Sequence, residues 1–242
     1  MIEQRIVDEF DNMTVLFVDL PDFSQDAIKF LQKLFTRFDQ LTVENKVFKV
    51  QTVGDTYISI GFAARIDKSQ RTLSVQIEEC NKMLVCGLQM IECVKEVKSQ
   101  MTKQEQLEFK HLEVRVGVHT GAIIAGLIGT KLVKYDIFGE DVLKASKIRV
   151  NAPMSSMCVS EETMNLLAKN PKVYKNYEFE EIEPFQFNQK SIKKFKTTFM
   201  VKDETESEER SSFEDSSFQM ESSRSEISSS RQFVERDMLP QE

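Results

Sequence analysis

The chain has 242 residues, a formal net charge of −7 and 40% hydrophobic residues, eighteen of them phenylalanine. This apolar content is sufficient for a packed core. Residues 1–202 carry 28 basic and 27 acidic side chains, which argues against a nucleic-acid or anionic-membrane partner. Residues 203–242 carry 4 basic and 12 acidic side chains and eleven serines. We therefore predict one globular domain over 1–202 and a disordered, acidic, serine-rich tail over 203–242.

Membrane and redox signals are weak in this sequence. No apolar stretch approaches the roughly 18 residues of a transmembrane helix, and no signal peptide precedes the first strand-like run. We expect a cytoplasmic chain without direct membrane insertion. Cys80, Cys86, Cys93 and Cys158 lack the paired spacing of a metal site, so we expect core thiols in a reducing compartment.

The first sixty residues predict a strand, a helix and a hairpin. Residues 14–20 are β-branched and apolar, which indicates a buried strand with Asp19 near its C-terminal end. Residues 25–41 have apolar side chains at a 3.6-residue period, as in an amphipathic helix. Two β-rich segments, 47–53 and 56–62, are separated only by Gly54 and Asp55. This spacing predicts a hairpin with Asp55 at its tip.

The remaining pattern alternates helices and strands. Residues 73–100 predict the longest helix, followed by a polar connector over 101–109. Alternation over 112–119, then Thr120-Gly121 and a β-rich run over 122–128, predicts a second hairpin. Further predicted elements are a strand at 134–138, a helix at 140–149, a strand at 157–159, a helix at 161–168 capped by Ser160, and a last edge strand at 196–201. This order indicates an α/β sandwich whose helices cover a mixed sheet.

Asp19 and Asp55 are the first candidates for chemistry. If the first strand lies beside the first hairpin, the two carboxylates meet at a strand end, where they repel unless a positive charge lies between them. Two Mg²⁺ or Mn²⁺ ions about 3.5–4 Å apart would supply that charge and act on a phosphate. An Asp beside Gly at a hairpin tip is also common turn chemistry. The spacing alone leaves both interpretations open.

Four segments resemble motifs of the class III adenylyl and guanylyl cyclases, in the family's order and spacing. They are FVDLPDFS at 17–24, KVQTVGDTY at 49–57, RVGVHTGAIIAGLIG at 115–129 and KYDIFGEDVLKASKI at 134–148. The chain is therefore identified as a member of this family. The resemblance implies an α+β sandwich with the ferredoxin-like βαββαβ core of class III nucleotide cyclases.

The resemblance also implies a reaction and its residues. ATP or GTP would be cyclised by attack of the ribose 3′-oxygen on the α-phosphate, giving a 3′,5′-cyclic nucleotide and pyrophosphate. Asp19 and Asp55, helped by the Leu20 carbonyl, would bind two Mg²⁺ or Mn²⁺ ions. The implied triphosphate contacts come from Asp22, Phe23, Ser24 and Gly54. His119 belongs to the HTG segment, where a structural role is expected.

The sequence departs from the family at groups that act on the substrate. Class III sites form between two catalytic domains, and one domain supplies an Asn and an Arg to the transition state; these positions are Leu143 and Lys147 here. Leu has no hydrogen-bond donor, and Lys lacks the planar fork of Arg. The chain thus resembles the metal-bearing half of a heterodimeric cyclase, which predicts a second cyclase domain as partner. Asp22 replaces a phosphate-loop glycine and adds negative charge.

The purine and the cellular setting stay open. Gln51 stands where adenylyl cyclases usually have Lys and guanylyl cyclases Glu, whereas Asp136 matches the adenine-type residue. In a metal-bearing half, both would line the pseudosymmetric pocket instead. Phe138 and the FDQL segment at 38–41 also resemble protist cyclases fused to a P-type ATPase, which would place the assembly at a membrane.

Two other functions compete with the enzyme half. One is an inactive cyclase-homology module that dimerises with and regulates an active partner, which Leu143 and Asp22 favour. The other is a diguanylate cyclase, which is disfavoured because residues 53–56 are the only candidate turn and do not read as a GG(D/E)EF hairpin. Retention of both Asp19 and Asp55 favours the enzyme half.

Overall fold

A computed structural model of the protein describes residues 7–21, 27–61, 71–129 and 133–200. The strands are β1 (Val7–Asp19), β2 (Phe48–Val53), β3 (Thr56–Ile60), β4 (Arg115–Ile128), β5 (Lys134–Phe138), β6 (Ser156–Ser160), β7 (Tyr177–Phe187) and β8 (Lys190–Phe199). The helices are α1 (Ile28–Glu44), α2 (Leu73–Ser99), α3 (Lys103–Glu108), α4 (Glu140–Val150), α5 (Glu161–Ala168) and α6 (Pro171–Tyr174). The predicted phosphate-binding residues Asp22, Phe23 and Ser24 and the predicted tail over 203–242 lie outside the described residues.

Eight strands form one mixed sheet in the order β2-β3-β1-β4-β6-β8-β7, with β5 paired to β4. The β4–β6 pair is parallel, and the other pairs are antiparallel. Within this sheet, β1-α1-β2-β3-α2-β4 has the ferredoxin-like strand order, with β1 between β3 and β4. The predicted α+β fold with a βαββαβ core is confirmed.

Alternate residues of β1 face two different layers. Leu16, Val18 and Leu20 pack with α1 and α2 in the larger core. Val15 and Phe17 face the opposite side, where they pack in a second core with Val142 and Ala145, which α4 contributes. Because side chains alternate along a strand, Asp19 points to the α4 side.

Helix α4 approaches the sheet closely at Gly117. A Cβ added to Gly117 would lie 2.2 Å from the backbone nitrogen of Arg149. Because Gly117 has no side chain, α4 can pack this closely against β4. This contact also fixes where the end of α4 stands relative to Asp19.

The predicted second hairpin is wrong. Residues 115–128 form one continuous strand, β4, in which Thr120 and Gly121 pair with Thr14 and Met13 of β1. The long partner strand holds the Thr-Gly pair extended, and the Thr14 and Thr120 hydroxyls are 3.0 Å apart. The hairpin partner of β4 is instead β5, as the register Ile124↔Phe138 shows.

Two further expectations need correction. The polar connector over 101–109 contains helix α3, which begins with a capping box between Thr102 and Glu105. The C-terminal strand is longer than predicted and is internal, because β8 lies between β6 and β7. The edge strand is β7. Its side chains are mostly exposed and many are charged, so its sequence lacks the pattern that would predict a strand.

All four cysteines are buried and unpaired, as predicted. Burial raises the pKa of Cys80, Cys86 and Cys93 to about 12 each and that of Cys158 to about 11. These thiols therefore act as apolar packing groups. Within the described ranges, none of the helices has the length and apolarity needed to cross a membrane.

Candidate functional site

Strand register brings the two candidate metal aspartates to one end of the sheet. Asp19, the last residue of β1, pairs with Thr56 of β3 on one side and with Arg115 of β4 on the other. Gly54 and Asp55 form the two-residue turn directly before Thr56, and Gly54 has a φ of +59°. Asp19 and Asp55 are thus neighbours, as the hairpin prediction required.

Asp19 is a buried carboxylate held by two arginines. Arg115 donates from Nη2 to Oδ2 at 2.7 Å and from Nε to Oδ1 at 3.3 Å. Arg149 of α4 places Nη1 3.4 Å from the same Oδ2. Only 6% of the Asp19 side chain is exposed, so the two arginines offset the loss of hydration that a buried carboxylate suffers.

Arg149 connects the site to the hairpin tip. Its Nη1 donates to the Thr56 hydroxyl at 2.8 Å, and that hydroxyl lies 3.4 Å from Oδ1 of Asp55. Burial lowers the pKa of Arg149, and the charges of Asp19 and Asp55 act against that shift. The guanidinium carbon stands 6.0 Å from the ring centre of Phe17.

Neither arginine was singled out by the sequence patterns. Arg115 begins the third motif, which predicts no contact for it, although the register of β4 with β1 places it opposite Asp19. Arg149 ends a predicted helix and follows the last of the four motifs directly. A signal was present, because Val142, Ala145 and Arg149 share the inward period of α4, and a charge in that series needs a buried partner.

Gln51 and Asp136, the predicted purine or pseudosymmetric pair, do meet. Gln51 Nε2 donates to Asp136 Oδ1 at 2.8 Å, and the Ile137 backbone N–H donates to the same oxygen at 2.8 Å. Gln51 Oε1 is buried and has no hydrogen-bond partner among the described residues. An acceptor left open in this way suits a ligand that brings an N–H group.

Leu143 and Lys147 lie on the outward surface of α4. Leu143 is 59% exposed, and Lys147 is also exposed. Neither residue has a described contact with Asp19 or Asp55. Both are accessible to another domain, but Leu143 offers it an aliphatic surface without a hydrogen-bond donor.

The donor set at Asp19 and Asp55 fits hard divalent cations, which prefer carboxylate and carbonyl oxygens. Leu20 follows β1 directly and is a buried residue; its aliphatic side chain has no ligand atom, so the predicted contact would come from its main-chain carbonyl. No cluster of three or more His, Cys, Asp or Glu side chains occurs within the described parts of the chain. Further ligands would therefore have to come from main-chain and phosphate oxygens.

His119 lies in a separate buried network away from Asp19. Its Nδ1 hydrogen-bonds with the Ser160 hydroxyl at 2.7 Å, and its Nε2 hydrogen-bonds with Asp141 Oδ1 at 2.9 Å. Ser160 is fully buried and caps α5, so it has no access to a substrate. Lys144 and Glu162 form an ion pair beside this network. The contacts support the predicted structural role of His119.

The His119 network predicts an acid-sensitive fold. Burial lowers the pKa of His119 below its ordinary value of 6.5, so the unfolded chain binds the proton more readily. Stability should be complete above pH 6.5 and fall as the pH drops below it, by at most about 1.4 kcal/mol per pH unit. Urea unfolding between pH 7.5 and 5.5 measures this loss. His119→Asn should flatten the profile and the exposed His111→Asn should not; equal profiles for all three proteins would contradict the assignment.

Comparison with known proteins establishes the family. The model of the adenylate and guanylate cyclase catalytic domain matches residues 6–203. The soluble guanylate cyclase gcy-31 of Caenorhabditis elegans is 28% identical over 185 residues, which are 73% of this chain and 24% of that protein. The guanylate cyclase soluble subunit alpha-1 of Canis lupus familiaris is 32% identical over 171 residues, 67% of this chain and 22% of that protein. This chain therefore spans about a quarter of the length of these relatives.

Solved structures agree on the fold. The guanylate cyclase domain of RhGC from Catenaria anguillulae, crystallised with GTP, superposes with a TM-score of 0.62 at 17% identity, over 80% of this chain and 100% of that one. The adenylyl cyclase CyaB from P. aeruginosa superposes with a TM-score of 0.64 at 16% identity, over 81% of this chain and 98% of that one. The chain belongs to the adenylate and guanylate cyclase catalytic domain family, as its motifs predicted.

Proposed function

We propose that this chain is the metal-bearing half of a purine nucleotide cyclase, which forms a 3′,5′-cyclic nucleotide and pyrophosphate from GTP or ATP on the cytoplasmic side of the cell. The observation that carries the proposal is the meeting of Asp19 and Asp55 at one end of the sheet. Family membership supplies the reaction class. Asp19 is buried at the end of β1 and Asp55 is half-buried on the adjacent turn, and two neighbouring carboxylates serve no packing purpose there.

Each described residue has a distinct part in this proposal. Asp19 and Asp55 supply carboxylate oxygens to two Mg²⁺ or Mn²⁺ ions, which when bound activate the ribose 3′-oxygen and offset charge on the phosphate. Arg115 orients the Asp19 carboxylate through its two contacts, at 2.7 and 3.3 Å. Gly54, together with Asp22, Phe23 and Ser24, binds the triphosphate through the main chain.

A second cyclase domain completes the site. Leu143 and Lys147 provide neither the amide nor the guanidinium that the family uses on the transition state, and removal of one such donor commonly costs about a hundred- to thousandfold in rate. A homodimer would lack these groups in both sites, so the proposed partner is a different domain. The β4–β5 ribbon exposes Ile124, Leu127 and Phe138, an apolar surface available to that partner.

GTP is the substrate to test first. Both relatives described above are guanylate cyclases by name, although the chain covers only part of each. Gln51, with its open buried acceptor, and Asp136 line either the purine pocket or its pseudosymmetric counterpart. In a metal-bearing half, the partner selects the purine, so the same chain should follow the specificity of the domain paired with it.

The competing function is a regulatory module without catalysis. The observation in its favour is that Arg115 and Arg149 already balance the charge of Asp19 without a metal. Such a module would dimerise and change the activity of a partner. It would not depend on the carboxylates of Asp19 and Asp55.

Mixing experiments separate the two functions. We expect the 242-residue chain alone to form no measurable cyclic nucleotide with Mn²⁺ and either GTP or ATP. Mixed with a cyclase half that supplies the Asn and Arg but lacks the metal aspartates, it should raise product formation at least a hundredfold over either chain alone. Dimer formation without any product in these mixtures would refute the enzyme half and leave the regulatory module.

A further inference from the structure

We propose that Arg149 is an internal cation that competes with a divalent metal ion for the aspartate site. In this arrangement, the guanidinium holds Asp19 and the hairpin tip when no metal is bound, and metal entry requires it to withdraw. The inference rests on the proposed metal site at Asp19 and Asp55. It assigns to Arg149 a positioning role that the family's metal-binding motifs do not contain.

The contacts of Arg149 connect it to both metal aspartates, directly to Asp19 and through Thr56 to Asp55. Nη1 lies 3.4 Å from Asp19 Oδ2 and donates to Thr56 Oγ1 at 2.8 Å. Thr56 Oγ1 is itself 3.4 Å from Asp55 Oδ1, and Asp55 attracts the guanidinium electrostatically. Arg149 is 13% exposed in its side chain, so water screens these attractions only in part.

Arg149 is the arginine that can leave. Arg115 is fixed by two hydrogen bonds to Asp19 and by a third, from Nη1 to the Val150 carbonyl at 2.9 Å. Arg149 makes one short hydrogen bond, to Thr56, and a marginal one to Ser146 at 3.5 Å. Its Nε is buried without a hydrogen-bond partner among the described residues. Arg149 therefore has fewer hydrogen bonds to lose than Arg115 when it turns away from Asp19.

The net charge of the site explains why Arg149 and a divalent cation compete. Two aspartates and two arginines give this cluster a net charge of zero, whereas the aspartates with Arg115 alone carry −1. A divalent cation entering beside Arg149 meets like-charge repulsion in addition to the attraction of the carboxylates. Neutralising Arg149 removes that repulsion and one of the two positive partners of Asp19 Oδ2, which then keeps only its hydrogen bond from Arg115 among the described residues. Metal affinity should therefore rise when Arg149 loses its charge.

Mn²⁺ binding to the nucleotide-free, 242-residue chain tests the inference. Electron paramagnetic resonance titration counts free Mn²⁺ directly, without an activity assay. Arg149→Gln and Arg149→Met should each bind Mn²⁺ roughly ten- to a hundredfold more tightly than the native chain. Arg149→Lys, which keeps the charge, should stay within about threefold of it. Arg37→Gln, which removes a partly exposed arginine on α1, should leave the affinity unchanged.

Thermal unfolding provides a second measurement. Without metal, Arg149→Gln should unfold at a lower temperature than the native chain, because Asp19 keeps only one positive partner. With saturating Mn²⁺, its upward shift should exceed the native shift, as tighter binding requires. An equal or smaller shift for both neutral variants would overturn the inference.

Asp19→Asn separates this inference from the proposed function. Loss of Mn²⁺ binding in Asp19→Asn, with unchanged affinity in both neutral Arg149 variants, keeps the metal site and overturns the role of Arg149. Native-like Mn²⁺ binding in Asp19→Asn overturns the metal site and the inference together. Loss in Asp19→Asn with tighter binding in the neutral variants supports both.

Discussion

Asp19→Asn should abolish cyclic nucleotide formation in the mixed assembly, by a factor on the order of a thousand or more. The substitution removes the charge that attracts a divalent cation and leaves one neutral oxygen in place of the carboxylate. It also leaves Arg115 and Arg149 facing each other without their shared counter-ion. The measurement is the initial rate with Mn²⁺ and GTP at saturating partner concentration.

Two control variants test whether the loss of activity is specific to the metal site. Asp55→Asn should reduce the rate as strongly but disturb the fold less, because Asp55 is half-buried on a turn and has no described ion pair. Glu92→Gln makes the same carboxylate-to-amide change in an exposed pair with Lys95 and should retain full activity. Activity within tenfold of the native rate in Asp19→Asn would contradict the assigned metal site.

Gly117→Ala should destabilise the fold by more than about 4 kcal/mol, a large fraction of typical domain stability. The new Cβ would stand 2.2 Å from the Arg149 nitrogen and 2.5 Å from its Cα, and both are backbone atoms of a packed helix. Relief requires α4 to move away from β4, which opens the second core. Urea unfolding measures the loss directly.

Gly87→Ala is the matched control for this prediction. A Cβ at Gly87 would meet the Met157 sulfur at 2.9 Å and the Leu16 Cδ1 at 3.0 Å, both at the ends of side chains that can shift. The overpacking cost of about 1–3 kcal/mol is partly offset by the better helix propensity of alanine. Equal stability losses for the two variants would show that Gly117 does not determine the distance between α4 and β4.

Motifs and periodicity predicted the elements that carry the candidate site. The β1 strand, the β2–β3 hairpin with Asp55 at its tip, and the Ser160 cap of α5 all depend on local signals, namely apolar runs, a two-residue turn and a capping hydroxyl. Such signals act within a few residues of each other. They appear in the structure where they were expected, although β1 begins seven residues earlier, at Val7.

Two of the errors, at Thr120-Gly121 and at β7, share a different origin. Thr120-Gly121 has ordinary turn chemistry, but pairing of β4 with β1 over its length keeps it extended. The β7 strand is exposed over most of its residues, so it lacks the apolar alternation that marks a half-buried strand. In both cases, long-range pairing overrides local preference, and a single sequence does not display its pairing partners.

The arginines around Asp19 illustrate the same limit within the site. Resemblance to a family assigns roles to positions that the family shares, so it predicted roles for Asp19, Asp55, Gln51 and Asp136. The contact between Asp19 and Arg149 joins residues 130 positions apart through the packing of α4 on β4. The period of α4 indicates that Arg149 faces inward, but its partner Asp19 becomes visible only when the close approach at Gly117 is known.

Helix α4 is fastened at both ends to polar groups. Near its first turn, Asp141 bonds to His119 and to the Ala122 backbone N–H, while at its last turn Arg149 reaches Asp19. Its eleven residues form a rigid rod about 16 Å long. A domain that docks on the exposed Leu143 side therefore contacts one rigid helix. Any tilt of α4 that it causes changes the distance from Asp141 to His119 and the distance from Arg149 to Asp19 together.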